Sequence, residues 1–279
     1  MKSRTQRLII ALVAWWLVLF GVLPILLLVA ASLLTQDHHD FLRWPPSLAA
    51  YRQLFDPVYL LVLLRSLKLA LITVALCLAV GYPFAWCTAR LPRRTKSVIL
   101  ILLMIPFWTN SLVRTYAIRT LIGSQGLLNQ GLLAVGLIDQ PLQLLYTDAA
   151  VLLGLFYLML PFMILPLYAN LEKFDYRLVE AGRDLGAGFW RIFWRIVWPL
   201  SLPGVLAGCI LVFVPTMGLF YVSALLGGAR QLLVGNLIQQ QFGTSRDWPF
   251  GAAVSLGLML LTFVGIWVLR KTGGKEAVH

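Results

Sequence analysis

Between two long apolar spans, residues 180–199 read EAGRDLGAGFWRIFWRIVWP. This stretch is charged and punctuated by glycine, whereas the sequence on either side is almost entirely apolar. Asp175 can cap a helix that runs to about Leu185, and Gly186 and Gly188 then permit a bend that residues with a Cβ would resist. The stretch therefore predicts a helix, a bend and a second helix.

The second predicted helix is amphipathic. With a rotation of about 100° per residue, its phenylalanines and isoleucines fall on one side of the helix and its arginines and tryptophans on the other. One side carries Phe189, Ile192, Phe193 and Ile196, and the other carries Arg191, Arg195 and the row Trp190, Trp194 and Trp198. We predict that this helix lies at a membrane surface, and that Pro199 and Pro203 mark the start of the next apolar span.

The composition of the chain excludes a soluble domain. Hydrophobic residues make up 60% of the chain and charged residues 12%, with a mean hydropathy of +0.84, which is more apolar surface than one soluble core can bury. We predict an all-α polytopic membrane protein with six transmembrane helices. The predicted spans are Leu8 to Leu34, Leu69 to Ala89, Val98 to Ile122, Ala149 to Leu171, Pro199 to Leu226 and Pro249 to Leu269. Pro106, Asn110, Arg114 and Arg119 interrupt the third.

The positions of the basic residues predict the orientation of the spans. Most of the 23 Lys and Arg residues lie before span one, between spans two and three, between spans four and five, or after span six. All four segments fall on one side of a six-span protein, which the positive-inside rule assigns to the cytoplasm together with both termini. The net charge of +12 therefore reflects topology, and we expect no nucleic-acid partner.

The spacing of Glu180, Ala181, Gly186, Ile196 and Pro199 resembles the cytoplasmic EAA signature of permease subunits in bacterial binding-protein-dependent ABC importers. In that family the segment forms a coupling helix that docks on the ATPase. The resemblance therefore implies the ABC importer permease (MetI-like) fold with a cytoplasmic coupling helix.

The chain departs from the signature at two positions, because Gly182 replaces the third alanine and Trp198 replaces the usual leucine. Both replacements change only the packing of side chains, so they leave the resemblance to the family intact. Three further stretches resemble the spermidine/putrescine branch of the family, namely Phe107–Tyr116, Gly218–Ser223 and Arg246–Gly251. In that branch an acidic residue often follows the Tyr-Val-Ser run, where this chain has Ala224. Two substrate classes therefore remain open: a polyamine, or another small organic solute.

The resemblance also implies a cellular role. It implies a transport subunit rather than an enzyme, in the bacterial inner membrane, moving spermidine or putrescine by alternating access. The implied partners are a second related permease, an ATPase dimer on the cytoplasmic side, an extracytoplasmic substrate-binding protein and membrane lipid. ATP and magnesium belong to the ATPase, with no cofactor in this chain. The implied coupling residues are Glu180, Ala181, Gly182, Asp184, Gly186 and Pro199.

The same resemblance divides the chain into two regions. Residues 1–61 are the N-terminal transmembrane helix and the first outer loop. Residues 62–279 are the permease core with five transmembrane helices, and they include the coupling segment 172–199.

Residue types argue against two other classes of membrane protein. A membrane enzyme needs a reactive constellation, but His38, His39 and His279 all lie outside the predicted spans, so no serine there has an imidazole partner and we predict no catalytic residue. A carrier driven by protons or sodium ordinarily has a carboxylate in the membrane, whereas all 11 acidic residues lie outside the spans. The sequence also lacks a Walker A loop, so we expect a separate ATPase chain.

Without an intramembrane acid, this subunit can offer a polycation only aromatic and neutral polar groups. A cation–π contact is worth about 0.5 to 2 kcal/mol. The candidates for the substrate path are Trp108, Asn110, Tyr116, Tyr157, Phe220, Tyr221 and Ser223, with Asp148 and Asp247 at the outer mouth. The alternative for each ring is that it packs between helices or anchors a helix at the interface.

The remaining features have structural interpretations. Cys77, Cys87 and Cys209 lack the spacing of a metal site or a disulfide framework, and the adjacent His38 and His39 have no further ligand nearby, so we predict no metal site. The leucines of the outer segment, residues 120–148, predict a short amphipathic helix. This helix is either a docking surface for a binding protein or a connection between spans.

Overall fold

The computed structural model describes residues 4–35, 46–228 and 232–273 of the protein, which is built from helices. The α-helices are α1 (Arg4–Leu17), α2 (Leu23–Ser32), α3 (Ala49–Leu54), α4 (Pro57–Ala89), α5 (Arg93–Met104), α6 (Ser111–Ile122), α7 (Leu127–Ala134), α8 (Asp148–Leu171), α9 (Arg177–Asp184), α10 (Phe189–Ile192), α11 (Trp198–Gly218), α12 (Phe220–Val222), α13 (Val234–Gly243) and α14 (Trp248–Gly273). Three π-helical segments (Val18–Val22, Phe193–Val197 and Ser223–Gly227) and one 3₁₀ turn (Ile105–Trp108) adjoin them. His38, His39, His279, Lys2 and Lys275 lie outside the described residues.

Within the described residues, five helical stretches are long and apolar enough to cross a membrane. They are Leu8–Ser32, Pro57–Ala89, Asp148–Leu171, Phe189–Gly218 and Trp248–Val268. A sixth crossing exists if the bent pair Arg93–Trp108 and Ser111–Ala134 is counted as one span. The prediction of an all-helical polytopic protein is confirmed.

The third predicted span is not one straight helix, because its two halves meet at an angle of 91°. Pro106 opens the 3₁₀ turn at the end of the first half, and the backbone of Thr109 is extended. The Asn110 side chain then accepts a hydrogen bond of 2.8 Å from the Leu112 N–H, as an N-cap of α6. Proline removes a helical donor and the cap starts a new helix, so the sequence itself contains the reason for the bend.

Two other span boundaries differ from the prediction. Helix α4 begins at Pro57 rather than at Leu69, because the intervening residues contain no helix breaker. The predicted surface helix is not separate from span five, since α10 continues through a π-helical segment into α11. Pro199 is the second residue of α11 and directly follows the π-helical segment, so its missing N–H removes one hydrogen bond from a continuous helix.

The predicted fifth span is interrupted before its end. Helix α11 stops at Gly218, and the next residue, Leu219, has non-helical angles (φ −76°, ψ 63°) before α12 begins. Pro215 lies one turn before this point and cannot donate to the preceding turn. The continuous helix expected as far as Leu226 is therefore broken after Gly218.

The described residues divide into two compact units, one within residues 4–63 and 237–261 and the other within residues 64–236 and 262–273. In the first unit, the ring of Tyr59 packs at 4.6 Å from that of Phe250. In the second unit, the fully buried side chains of α8 form most of the core. Gly204 and Gly208 of α11 face α8 and allow the two helices to approach closely.

Candidate functional site

The structure contains the predicted helix of the coupling segment. Helix α9 runs over Arg177–Asp184, and the Asp175 carboxylate accepts a hydrogen bond of 3.0 Å from the Arg177 N–H. This contact satisfies one of the donors that a helix leaves free at its N-terminus, as predicted for Asp175, although the N-cap position itself is Tyr176, whose side chain makes no capping hydrogen bond.

A glycine in the left-handed conformation ends α9. Gly186 has φ +73°, and its N–H donates to the Arg183 carbonyl at 2.9 Å. The Ala187 N–H donates to the Gly182 carbonyl at 3.0 Å. These two bonds define a Schellman motif, in which glycine is favoured because it has no Cβ to clash in that conformation. The predicted bend at Gly186 is confirmed, whereas Gly188 has an ordinary extended backbone.

One face of α9 packs against the protein and the other is exposed. Gly182 is buried, and a Cβ placed on it would lie 3.2 Å from a methyl of Ile196 and 3.3 Å from the Cγ1 of Ile192. Even alanine at this position would therefore require the Ile192 and Ile196 side chains to shift by a few tenths of an ångström. Glu180, Ala181 and Asp184 are exposed.

The exposed face of α9 is available to a partner. Glu180 forms no ion pair with any other residue that the structure describes. The acidic residues implied by the family resemblance thus point away from the core and share one short helix. Pro199 is half-buried and lies on a different helix, α11.

A neighbouring contact joins the two cytoplasmic loops predicted from the basic residues. The Lys96 ammonium donates to the Glu172 carboxylate, which lies at the C-terminal end of α8. This hydrogen bond, together with one from the Tyr168 hydroxyl, holds the pKa of the Glu172 carboxyl below its ordinary value. The start of α5 is thereby tied to the end of α8.

The two interrupted spans line the same cavity, which has a volume of about 500 Å³. The residues that line it are Phe107, Thr109, Asn110, Ser111 and Arg114 from the bend of span three, Leu158, Met159 and Phe162 from α8, and Pro215, Leu219 and Tyr221 from the break of span five. Non-helical backbone at membrane depth is tolerated where it faces protein or a cavity rather than lipid. The structure thus brings Asn110 and Tyr221, both predicted path residues, to one cavity.

Arg114 gives this cavity a positive charge. Its guanidinium lies 5.0 Å from the centre of the Phe107 ring, and its Nε is buried with no hydrogen-bond partner among the described residues. Sequence reasoning noted Arg114 only as an interruption of span three. An arginine within a membrane span is itself a signal of function, because burying it there is costly.

The other path candidates lie in different surroundings. The side chain of Trp108 is 84% exposed and does not line the cavity. Tyr116, Tyr157 and Phe220 are exposed as well, and Ser223 is buried.

The two predicted mouth carboxylates already have partners. Arg65 donates to both oxygens of Asp148, at 2.9 and 3.2 Å. The Asp247 carboxylate accepts a hydrogen bond of 3.1 Å from the Phe250 N–H at the start of α14. Among the described residues there is no cluster of three or more His, Cys, Asp or Glu side chains that could hold a metal ion.

A bundle of membrane-length helices with broken spans and an exposed helix–turn segment is typical of membrane transport proteins. Residues 78–271 match the family of binding-protein-dependent transport system inner membrane components, and the chain belongs to that family. It is 49% identical to the spermidine/putrescine transport system permease protein PotB of Salmonella typhimurium (strain SL1344), over 94% of this chain and 93% of that protein. The identity to PotB of Escherichia coli (strain K12) is 49%, over 91% and 94% of the two chains, and to PotB of Haemophilus influenzae (strain ATCC 51907 / DSM 11121 / KW20 / Rd) 45%, over 96% and 93%. The chain is a multi-pass inner-membrane permease.

A solved structure shares the fold. A bacterial ABC transporter involved in the import of the acidic polysaccharide alginate superposes with a TM-score of 0.79, covering 98% of this chain and 97% of that chain at 13% sequence identity. The likeness confirms the predicted permease fold, and at this level of identity it concerns the fold alone.

Proposed function

We propose that this chain carries spermidine and putrescine into the cell as one permease subunit of an ATP-driven importer. The observation that supports this most strongly is the identity of 45 to 49% to three PotB permeases over nearly the whole chain. A second related permease, an ATPase dimer inside and an extracytoplasmic binding protein complete the importer. The solved alginate transporter in complex with its periplasmic protein supports a partner of the last kind.

In the proposed mechanism, closure of the ATPase dimer pushes on the exposed face of α9. The Schellman motif at Gly186 fixes the angle between α9 and the helix that continues into α11. Movement of α9 is therefore passed to a span that packs on α8 and borders the cavity. Alternating access then results from reorientation of these helices.

The test of this function is uptake by cells that lack their own polyamine import. The gene is expressed together with genes for a second related permease, an ATPase and a binding protein from the same organism, and accumulation of radiolabelled spermidine and putrescine is measured beside a panel of small organic solutes. We expect saturable polyamine uptake that disappears when this gene alone is omitted. Uptake of another solute with no uptake of either polyamine contradicts the proposed substrate and leaves the permease family unchanged.

We predict that both termini and the loops at residues 90–96 and 172–199 are cytoplasmic. Thr95 and Gln125 are exposed and lie on opposite sides of the proposed membrane, so cysteines placed there report orientation. Because the native Cys87 is exposed, it is first replaced by serine. A membrane-impermeant maleimide should label Gln125→Cys in intact cells and Thr95→Cys only after permeabilisation. Labelling of Thr95→Cys from outside contradicts this orientation.

For the path, we predict that Tyr221→Ala and Trp108→Ala each raise the apparent KM for spermidine about fivefold, the effect of losing one cation–π contact. Asp247→Asn should weaken uptake more at low than at high ionic strength, because salt screens a charge at an aqueous mouth. Asparagine is also a good N-cap, so this change removes the charge and keeps the cap.

These uptake measurements use Trp15→Ala as a control, because Trp15 is an exposed ring on α1. Expression is checked for every variant. If all three path variants transport like the parent at both salt concentrations, the named side chains do not contact the substrate, and the rings pack between helices or anchor a helix at the interface.

A further inference from the structure

A second cavity lies beside the coupling segment and is separate from the one formed by the broken spans. Its volume is about 360 Å³, and it is enclosed by the end of α4, by α9 and by the helix that begins at Phe189. The lining is mostly apolar, and its aromatic residues include Tyr82, Trp86 and Phe193. An apolar cavity of this kind is costly to leave open to water, so it calls for an apolar occupant.

A polar cavity of about 380 Å³ shares residues with the apolar one. Arg90, Val179 and Arg183 line both cavities, and Glu180 lines only the polar one. Arg90 is held in place by ring contacts, since its guanidinium carbon lies 4.0 Å from the centre of the Trp86 ring. Arg90 and Arg183 carry two positive charges against the one negative charge of Glu180, so the residues where the two cavities meet, here called the rim, carry a net positive charge.

The surroundings of these cavities match the surface of a membrane. The side chains of Phe189, Trp190 and Trp194 are 65%, 68% and 56% exposed, although all three are large and aromatic. Aromatic rings collect at the boundary between lipid and water, and clusters of arginine next to spans attract anionic lipids. A molecule with an apolar chain and a phosphate group fits both cavities at once.

We propose that this pair of cavities binds an anionic phospholipid of the cytoplasmic leaflet. Its phosphate pairs with Arg90 and Arg183, and one acyl chain lies against the aromatic lining of the apolar cavity. The lipid would then contact α9 on the side next to Glu180. Occupancy of the site therefore stabilises the packing of α9 against α4.

Photo-crosslinking tests the proposal. The full-length chain, with its co-purifying subunits, is placed in vesicles that contain either phosphatidylglycerol or phosphatidylcholine carrying a photoreactive acyl chain. We expect phosphatidylglycerol to crosslink to residues 189–197 or to Trp86, and phosphatidylcholine to crosslink there much less. Arg90→Gln and Arg183→Gln should each reduce this yield about fivefold, the contribution of one basic residue at a membrane surface.

Arg195→Gln is the matched control, because Arg195 lies in the same segment, is exposed and does not line either cavity. It should leave the crosslinking yield unchanged. Ala187→Trp fills the apolar cavity and should reduce the yield without changing the charge of the rim. Equal crosslinking of the two lipids, equal loss of yield in Arg195→Gln, or crosslinks confined to residues that line neither cavity would overturn the proposal.

Discussion

Replacing Glu180 by lysine is expected to abolish polyamine uptake and the stimulation of ATPase activity while leaving the protein in the membrane. Glu180 is exposed on α9 and takes no part in the packing of that helix, so the change should not unfold the segment. It reverses a charge on the proposed docking face, where a like charge on the ATPase would cost several kcal/mol, on the order of a thousandfold in affinity. Uptake, ATPase activity and the amount of protein in the membrane are measured together.

The matched control is Arg94→Glu, a charge reversal at an exposed position in the first turn of α5, on the proposed cytoplasmic side, which should leave the stimulation of ATPase activity intact. Gly186→Val should cause the same loss as Glu180→Lys through the backbone, because valine resists φ +73°. Gly188→Val should be mild, since Gly188 has a negative φ and no atom lies within 4 Å of the point where a Cβ would stand. Full transport by Glu180→Lys would show that Glu180 has no role in coupling to the ATPase.

Replacing Gly204 by valine is expected to destabilise the permease core. A Cβ at Gly204 would lie 2.7 Å from the Cβ of Asn170 and 3.1 Å from the Pro166 carbonyl oxygen, so α8 and α11 must separate. Such overpacking typically lowers the free energy of unfolding by about 1 to 3 kcal/mol, which corresponds to a decrease in Tm of roughly 2 to 12 °C for a chain of this size. We expect a lower Tm in detergent and less protein in the membrane.

Gly131→Val is the control for this prediction, because Gly131 is a helical glycine with nothing within 4 Å of its Cβ position. It should change Tm by far less than Gly204→Val. Equal Tm values for the parent and Gly204→Val would show that α8 and α11 can separate at no cost.

The coupling segment could be predicted in detail because its structure is local. Asp175 caps a helix that starts two residues later, and Gly186 ends that helix four residues after Gly182, so each interaction joins near neighbours in the chain. The bend of span three was also visible in the sequence as Pro106 and Asn110. What the sequence did not indicate was how sharply the two halves turn.

The cavity between the broken spans could not be predicted, because its residues come from three segments that are distant in the chain. Arg114 was visible as a charge in an apolar span, but its partner ring and its buried Nε depend on how the bend folds back. The sequence predicts Asp148 at the outer mouth but gives no sign of its pairing with Arg65, which joins residues 83 positions apart.

The sequence by itself determined that the chain crosses a membrane, where most of its spans lie, and that a capped helix and a glycine turn precede the fifth. These features follow from hydropathy and from the conformational preferences of single residues, which act over a few positions. Only the tertiary structure decided that α8 and α11 meet at Gly204 and Gly208, and that the breaks of spans three and five face one cavity. Packing between distant segments depends on the shapes of both surfaces, and the hydrophobic periodicity of the sequence does not specify which surfaces meet.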